Sequence, residues 1–271
     1  MKKFFKVMTL VLVVAMLAAV GIFSLVGCGG TSNKLTVATE AYFAPFEYIK
    51  EGTVDEYTGF DMDLADAVAK KLGYDGIKVV NLEFDSIVAN VQADPNSIGI
   101  AAMTINPERL DSVAFSTPYF KDSYQVLVVK AGDTAYDAMT TKEQILGSLA
   151  DKNVNFAKGQ TGQFFVTGNK AMNYPGVNCK KGVVCDNATL VFAAVSGATD
   201  GSVGMVDKEV AKKYCAENND VKYIDIPLVY EEYGIAINKS NTELKTKIDT
   251  ALSELKADGT IDNLLKKYNI A

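Results

Sequence analysis

Between Leu35 and Ala102 the hydrophobic pattern switches period repeatedly, and that alternation constrains the fold more than any other feature of the chain. Leu35-Thr-Val-Ala-Thr39 alternates with the period of two expected of a strand. Phe60, Leu64, Val68 and Leu72 then recur every four residues, the spacing of one helix face. Asp61 and Asp63 suit the positive start of that helix, Lys70 and Lys71 its negative end, and Gly73 its stop. The two aspartates therefore read as dipole complements. Ile77-Lys-Val-Val80 is a second strand. Phe84-Asp-Ser86 precedes a helix with Ile87, Val88 and Val91 on its apolar face, and Ile98 to Ala102 is a third strand. Strand, helix, strand, helix, strand is the order of an α/β fold with a parallel sheet.

The third strand runs into Met103-Thr-Ile-Asn-Pro-Glu-Arg109. Asparagine is a strong helix N-cap and proline is favoured at the first helical position, so a strand end leads straight into a helix start. Backbone N–H groups at such a start favour an anion. A guanidinium adds a bidentate grip suited to a carboxylate. Open α/β sheets place ligands at the C-terminal ends of their strands. The stretch reads as a carboxylate-binding corner with Thr104 and Arg109 beside it, against the alternative of a surface arginine on a short helix.

Composition narrows the chemistry. The 271 residues contain no histidine, which removes Ser-His and Cys-His catalysis, histidine zinc sites and the usual general base near neutral pH. The formal charge of −6 with no basic block argues against nucleic acid. Lys2, Lys3 and Lys6 precede an apolar run from Val7 to Val26. A run of that length can span a bilayer, but a basic start followed by an apolar stretch is also a secretory signal. Leu25-Val26-Gly27-Cys28 resembles the bacterial lipobox, whose cysteine becomes the lipidated first residue of the mature protein. Residues 1–27 are then a signal peptide and 28–33 a lipidated tether; an uncleaved anchor is the alternative. Either way the remainder lies outside the cytoplasmic membrane. Cys179 and Cys185 bracket a five-residue loop in which a disulfide is plausible in an export compartment, with free thiols as the alternative. The cysteine spacing fits no metal site.

Further along, Tyr124 to Val129 is a strand, Lys130 to Thr141 a polar boundary, Lys142 to Leu149 a weak helix and Asn153 to Ala157 another strand. Lys158-Gly-Gln-Thr-Gly-Gln163 is a glycine-bounded strand-to-helix turn without the Walker ending, so it supports a carboxylate better than a nucleotide. Asn187 to Val195 is helical. Gly201 to Asp207 is a buried strand ending in an acid that either serves a ligand or caps the next helix. Val221 to Ile226 and Tyr233 to Asn238 are extended, and Leu244, Ile248, Leu252 and Leu255 mark a long amphipathic helix.

Eight motifs in order carry a family resemblance: Val37 to Glu47, Gly59-Phe-Asp-Met-Asp-Leu64, Phe84-Asp-Ser-Ile87, Met103 to Arg109, Phe115-Ser-Thr-Pro-Tyr119, Gly159-Gln-Thr-Gly162, Val206-Asp207 and Lys256-Ala-Asp-Gly-Thr260. From Leu35 to the C-terminus the chain resembles the family 3 extracellular solute-binding proteins of ABC importers. The resemblance implies a type II periplasmic-binding-protein fold. Two lobes, 34–123 plus 230–271 and 124–229, would be joined by two crossover strands and would close on one amino acid. It implies that Arg109 clamps the ligand α-carboxylate, with Thr104, the Ala102 backbone and Thr161 beside it. Asp207 would pair with the α-ammonium, Phe43 and Phe84 would flank the side chain, Glu40 would meet its polar tip, and Gln160 and Gly162 would line the second lobe's wall. A zwitterion needs a cation and an anion from opposite walls, each costly to bury unless bridged.

Glu40 between aromatic faces suits a cationic side chain, hence arginine, lysine or histidine, while glutamine stays open because an acid also accepts from an amide. The expected protein is a monomeric lipoprotein without catalysis or cofactor that serves a membrane permease. Two other uses of the scaffold are a prephenate or arogenate dehydratase, with Glu40 as its acid/base group, and a surface sensor. Asn106 departs from a common threonine and Gln160 from a common Thr or Ser. Residues 173–186 lie outside the family pattern.

Overall fold

The computed structural model describes residues 33–270. The expected signal peptide, Cys28 and all of the tether but Asn33 lie outside the described residues. In chain order, β1 (Lys34–Thr39), β2 (Tyr42–Phe43), β3 (Glu47–Ile49) and β4 (Tyr57–Thr58) lead into α1 (Phe60–Lys71). Next come β5 (Gly76–Asn81), α2 (Ile87–Ala93), β6 (Ser97–Gly99), α3 (Pro107–Leu110), β7 (Ala114–Phe115) and β8 (Phe120–Lys130). Then α4 (Lys142–Gly147), β9 (Asn153–Ala157), α5 (Thr161–Thr167), β10 (Lys181–Cys185), α6 (Ala188–Gly197) and β11 (Val203–Asp207) follow. The chain ends with α7 (Lys208–Glu217), β12 (Val221–Tyr233), β13 (Ala236–Ile237), α8 (Thr242–Ala257) and α9 (Thr260–Lys267).

Two five-stranded sheets carry the fold, ordered β5-β1-β6-β13-β7 and β10-β9-β11-β8-β12. In the first, β1 pairs parallel with β5 and β6, as the alternating pattern requires. In the second, β9 pairs parallel with β10 and β11. The carboxyl ends of both parallel sets are where a ligand crevice is expected. Helix α1 buries Phe60, Leu64 and Val68 completely, each contributing about 1.5–3 kcal/mol of hydrophobic stabilisation.

The two long strands β8 and β12 join the sheets. They pair antiparallel along their length, from Val221 opposite Lys130 to Tyr233 opposite Phe120. The sequence pattern separates residues 221–226 from 233–238; the structure has one strand from Val221 to Tyr233. Pro227 explains the mismatch. It has no N–H to donate, and the ladder shifts register between Ile224 and Val229.

The third strand also departs from expectation. It ends at Gly99, not Ala102. Ala102 has φ of 44°, which an L-residue seldom adopts. Its N–H leaves the ladder and donates to Asp61 Oδ2 at 2.7 Å. Asp61 is therefore more than a dipole complement. Of the two readings of Cys179 and Cys185, the structure has the free thiols. Cys179 packs with Tyr174 and Val177 on the cluster around Phe156 and Phe165. Cys185 packs on the other cluster, which contains Phe192. The two side chains thus serve different apolar clusters.

Gly59 makes the join between β4 and α1 possible. Its φ is 123°, and a Cβ there would lie 2.2 Å from the Phe46 carbonyl oxygen. Gly59→Ala is expected to cost about 2–6 kcal/mol through backbone strain and overlap. Urea unfolding checks this, and an unchanged midpoint contradicts it.

Candidate functional site

The helix start at Asn106-Pro107 forms as its sequence predicts. Asn106 caps α3, its side chain accepting from Arg109 N–H at 2.8 Å, with Pro107 at the first position. Arg109 is buried. Its Nη1 donates to the Thr104 carbonyl at 2.7 Å and its Nη2 to the Gly159 carbonyl at 3.0 Å. The second bond crosses from the first lobe to the second. The guanidinium lies over the Phe84 ring, 5.0 Å from its centroid, a cation–π arrangement. Burial lowers the Arg109 pKa to about 10, against the raising influence of Glu231 and Glu108. It stays charged at neutral pH.

The lobes meet through further contacts. Thr104 Oγ1 lies 3.0 Å from Thr161 Oγ1. Gln160 Nε2 donates to Glu40 Oε2 at 3.4 Å. Lys158 and Asp85 form an ion pair at 2.7 Å. Phe43, Phe84, Ala102, Thr104, Arg109, Gln160 and Thr161 line one small cavity. Its volume is about 10 Å³, room for about one water. The cleft is closed, and an amino acid enters only if the lobes part.

Three predicted residues stand just outside that lining. Gly162 backs it: a Cβ there would lie 3.0 Å from Gln125 Oε1 and 3.2 Å from the Met205 carbonyl. Glu40 directly follows β1 and reaches the cleft through Gln160. Burial, then the nearby Glu83 carboxylate, pushes its pKa up to about 8. Asp207 caps α7, as the second reading of that residue anticipates. Its Oδ1 accepts from the N–H groups of Glu209 and Val210 at 2.8 and 3.2 Å. Its Oδ2 accepts from Tyr233 Oη at 2.5 Å and from Ser123 Oγ. Burial first, and Glu231 second, raise its pKa to about 7.

Four site residues escape the sequence reading: Ser123, Gln125, Glu231 and Tyr233. All lie on the crossover strands. Glu231 lines the cavity and accepts from Thr104 Oγ1 and Gln125 Nε2, both at 2.7 Å. The available signal was spacing. Ser123 and Gln125 share one face of β8, and Glu231 and Tyr233 one face of β12, since strand side chains alternate. Polar residues on a buried strand face are informative.

Two α/β lobes, two crossover strands and a closed cleft with a buried arginine define a type II periplasmic-binding-protein fold. The profile of the bacterial extracellular solute-binding proteins, family 3, matches residues 35–271, and the chain belongs to that family. It is 29% identical over 262 residues to the arginine-binding extracellular protein ArtP of Bacillus subtilis (strain 168), covering 93% of this chain and 95% of that one. It is 30% identical over 242 residues to the putative ABC transporter arginine-binding protein 2 of Escherichia coli (strain K12), covering 88% and 91%. Among solved structures, an ancestral arginine-binding protein bound to arginine superposes with a TM-score of 0.73 at 36% identity, covering 87% of this chain and 98% of that one. A structure of an ancestral arginine-binding protein bound to glutamine gives 0.72 at 36% identity, covering 87% and 97%.

Proposed function

We propose that this chain captures a cationic L-amino acid, arginine foremost, outside the cytoplasmic membrane and delivers it to the permease of an ABC importer. The observation that carries the reading is the charge balance of the cleft. Glu40, Asp207 and Glu231 are buried around it, with Arg109 as the buried cation. A neutral side chain gives Glu40 no cation to pair with, whereas a cationic one favours its carboxylate form and pairs with it. The arginine-binding relatives in Bacillus and Escherichia point the same way.

In this reading Arg109 and Thr161 grip the α-carboxylate from opposite lobes, beside Thr104 and the Ala102 backbone. Asp207 receives the α-ammonium once Ser123 and Tyr233 yield. Phe43 and Phe84 flank the side chain and Glu40 meets its guanidinium. Residues 34–123 with 230–271, and 124–229, act as the two lobes. The β8 and β12 strands serve as the hinge, so ligand contacts to both sides favour the closed form. The protein works as a monomer, tethered by lipid on Cys28, without catalysis. Glutamine is the second reading, favoured by the glutamine-bound ancestral structure.

A thermal-shift screen over the twenty amino acids tests the reading. Ligand at a hundredfold excess over its Kd stabilises the folded state by about 2.7 kcal/mol. Arginine is expected to give the largest rise in Tm, with lysine or histidine next. A larger rise with glutamine selects the second reading, and no rise with any amino acid overturns both.

A further inference from the structure

Behind the ligand corner lies a pair of acids that the amino-acid-binding role does not itself require. Glu47 on β3 and Asp61 in the first turn of α1 are 1% and 0% exposed. The backbone brings them together: Phe60 N–H donates to the Pro45 carbonyl at 3.0 Å and Asp61 N–H to the Phe46 carbonyl at 2.8 Å. The two carboxyl groups act on each other, Asp61 raising the Glu47 pKa and Glu47 lowering that of Asp61. Asp61 Oδ2 also accepts from Ala102 N–H and from Tyr119 Oη, both at 2.7 Å.

The remaining oxygens are the informative ones. Glu47 Oε1, Glu47 Oε2 and Asp61 Oδ1 meet no donor group among the described residues. Ionised carboxylates only accept hydrogen bonds. Two ionised groups here would face each other in a dry setting with three orphan acceptors, an arrangement that is costly twice over. A proton on Glu47 allows an O–H···O bond to Asp61 Oδ1, removes one of the two charges and leaves a single neutral carbonyl oxygen without a donor. The groups that act on the pair offer no alternative. They are Glu40 just after β1, Asp207 from the second lobe, and Tyr119, which precedes β8. None is a cation.

We propose that Glu47 and Asp61 share a buried proton that holds Ala102 in its left-handed backbone conformation, which makes both acids positioning residues of the ligand corner. Ala102 lines the cavity beside Thr104 and Arg109, and its φ of 44° persists only where surrounding bonds over-determine it. The bond from Asp61 is such a constraint. Burial first, then the Asp61 carboxylate, raises the Glu47 pKa well above its ordinary value. Burial pushes Asp61 up to about 6, so the pair keeps one proton at neutral pH. The proton is independent of the amino-acid-binding reading; its effect on affinity rests on that reading.

The test has two arms. The first is arginine affinity above about pH 8, where Glu40 has already ionised. The wild type is expected to weaken there as the shared proton is lost. Glu47→Gln donates an amide N–H to Asp61 at any pH, so its affinity is expected to fall less than the wild type's over that range. Asp61→Ala is expected to lose at least about tenfold. Asp61→Asn, which still accepts from Ala102 N–H and donates to Glu47, restores most of it. Matching alkaline profiles for wild type and Glu47→Gln overturn the proposal, as does wild-type affinity in Asp61→Ala. The second arm is infrared spectroscopy at neutral pH. The wild type is expected to show more protonated-carboxyl C=O absorption than Glu47→Gln, beyond what Glu40 contributes to both; identical spectra overturn the proposal. A wild type that binds no amino acid overturns the functional reading instead, and the infrared arm then decides the proton alone.

Discussion

Arg109→Ala abolishes measurable amino-acid binding while the fold persists. The guanidinium is the buried cation of a cleft whose other buried charges are acids. Without it a ligand carboxylate enters a closed site with no charged partner. Breaking a buried pair in this way costs about 3–5 kcal/mol, which is about a hundredfold to several-thousandfold in affinity. The fold survives because the side-chain bonds of Arg109 go to two carbonyls at the lobe junction, those of Thr104 and Gly159. Arg109→Lys does not restore binding, since an ammonium cannot reproduce a two-pronged planar grip. Calorimetry and circular dichroism check the two halves of the statement. Unchanged affinity with a native spectrum removes Arg109 from the site.

Glu40→Gln weakens arginine by about 1.5–3 kcal/mol, the worth of a charged hydrogen bond, and changes glutamine only a few-fold. The reason lies in the proton on Glu40. In the unliganded cleft, burial and then Glu83 hold its pKa at about 8, so the group is largely protonated at neutral pH. A guanidinium placed against it favours the carboxylate and expels that proton. The free protein then binds more protons than the complex, so through this group arginine affinity rises with pH up to about pH 8. Glutamine, which pairs with either form, shows little slope. The stability of the unliganded protein moves the other way. Its folded state keeps the Glu40 proton after the unfolded chain has lost it near the ordinary value of 4.5. This group therefore lowers stability as pH rises from there through about 8, and Glu40→Gln removes the loss. Equal losses for arginine and glutamine refute the charge argument.

The local grammar of the chain is most transparent where one rule acts alone. The four-residue spacing of Phe60, Leu64, Val68 and Leu72 predicts α1, and Asn106-Pro107 predicts the start of α3. Each is a short-range signal that tertiary packing reinforces. The bend at Ala102 is different. Its cause is Asp61, forty-one positions earlier, and nothing near Ala102 in the chain announces it. The crossover strands are obscure for a related reason. Pro227 breaks the pattern in the middle of β12, while Glu231 and Tyr233 acquire meaning only when Thr104 and Asp207 arrive from other elements. Asp207 carries two meanings in the sequence, and the structure realises its capping role directly. Its carboxylate is taken by two helix N–H groups, Ser123 and Tyr233. The short spacing of Cys179 and Cys185 leaves their pairing undecided in the sequence, since packing places their side chains on different clusters.

The central claim is that this cleft holds a cationic amino acid by both ends, with Arg109 on its carboxylate. Calorimetric titration of the wild-type protein with L-arginine and with agmatine, which is arginine without its carboxylate, tests that claim most directly. Saturable one-to-one binding of arginine with agmatine weaker by at least about a hundredfold is the predicted result. Equal affinity for the two, or no binding of arginine, contradicts it.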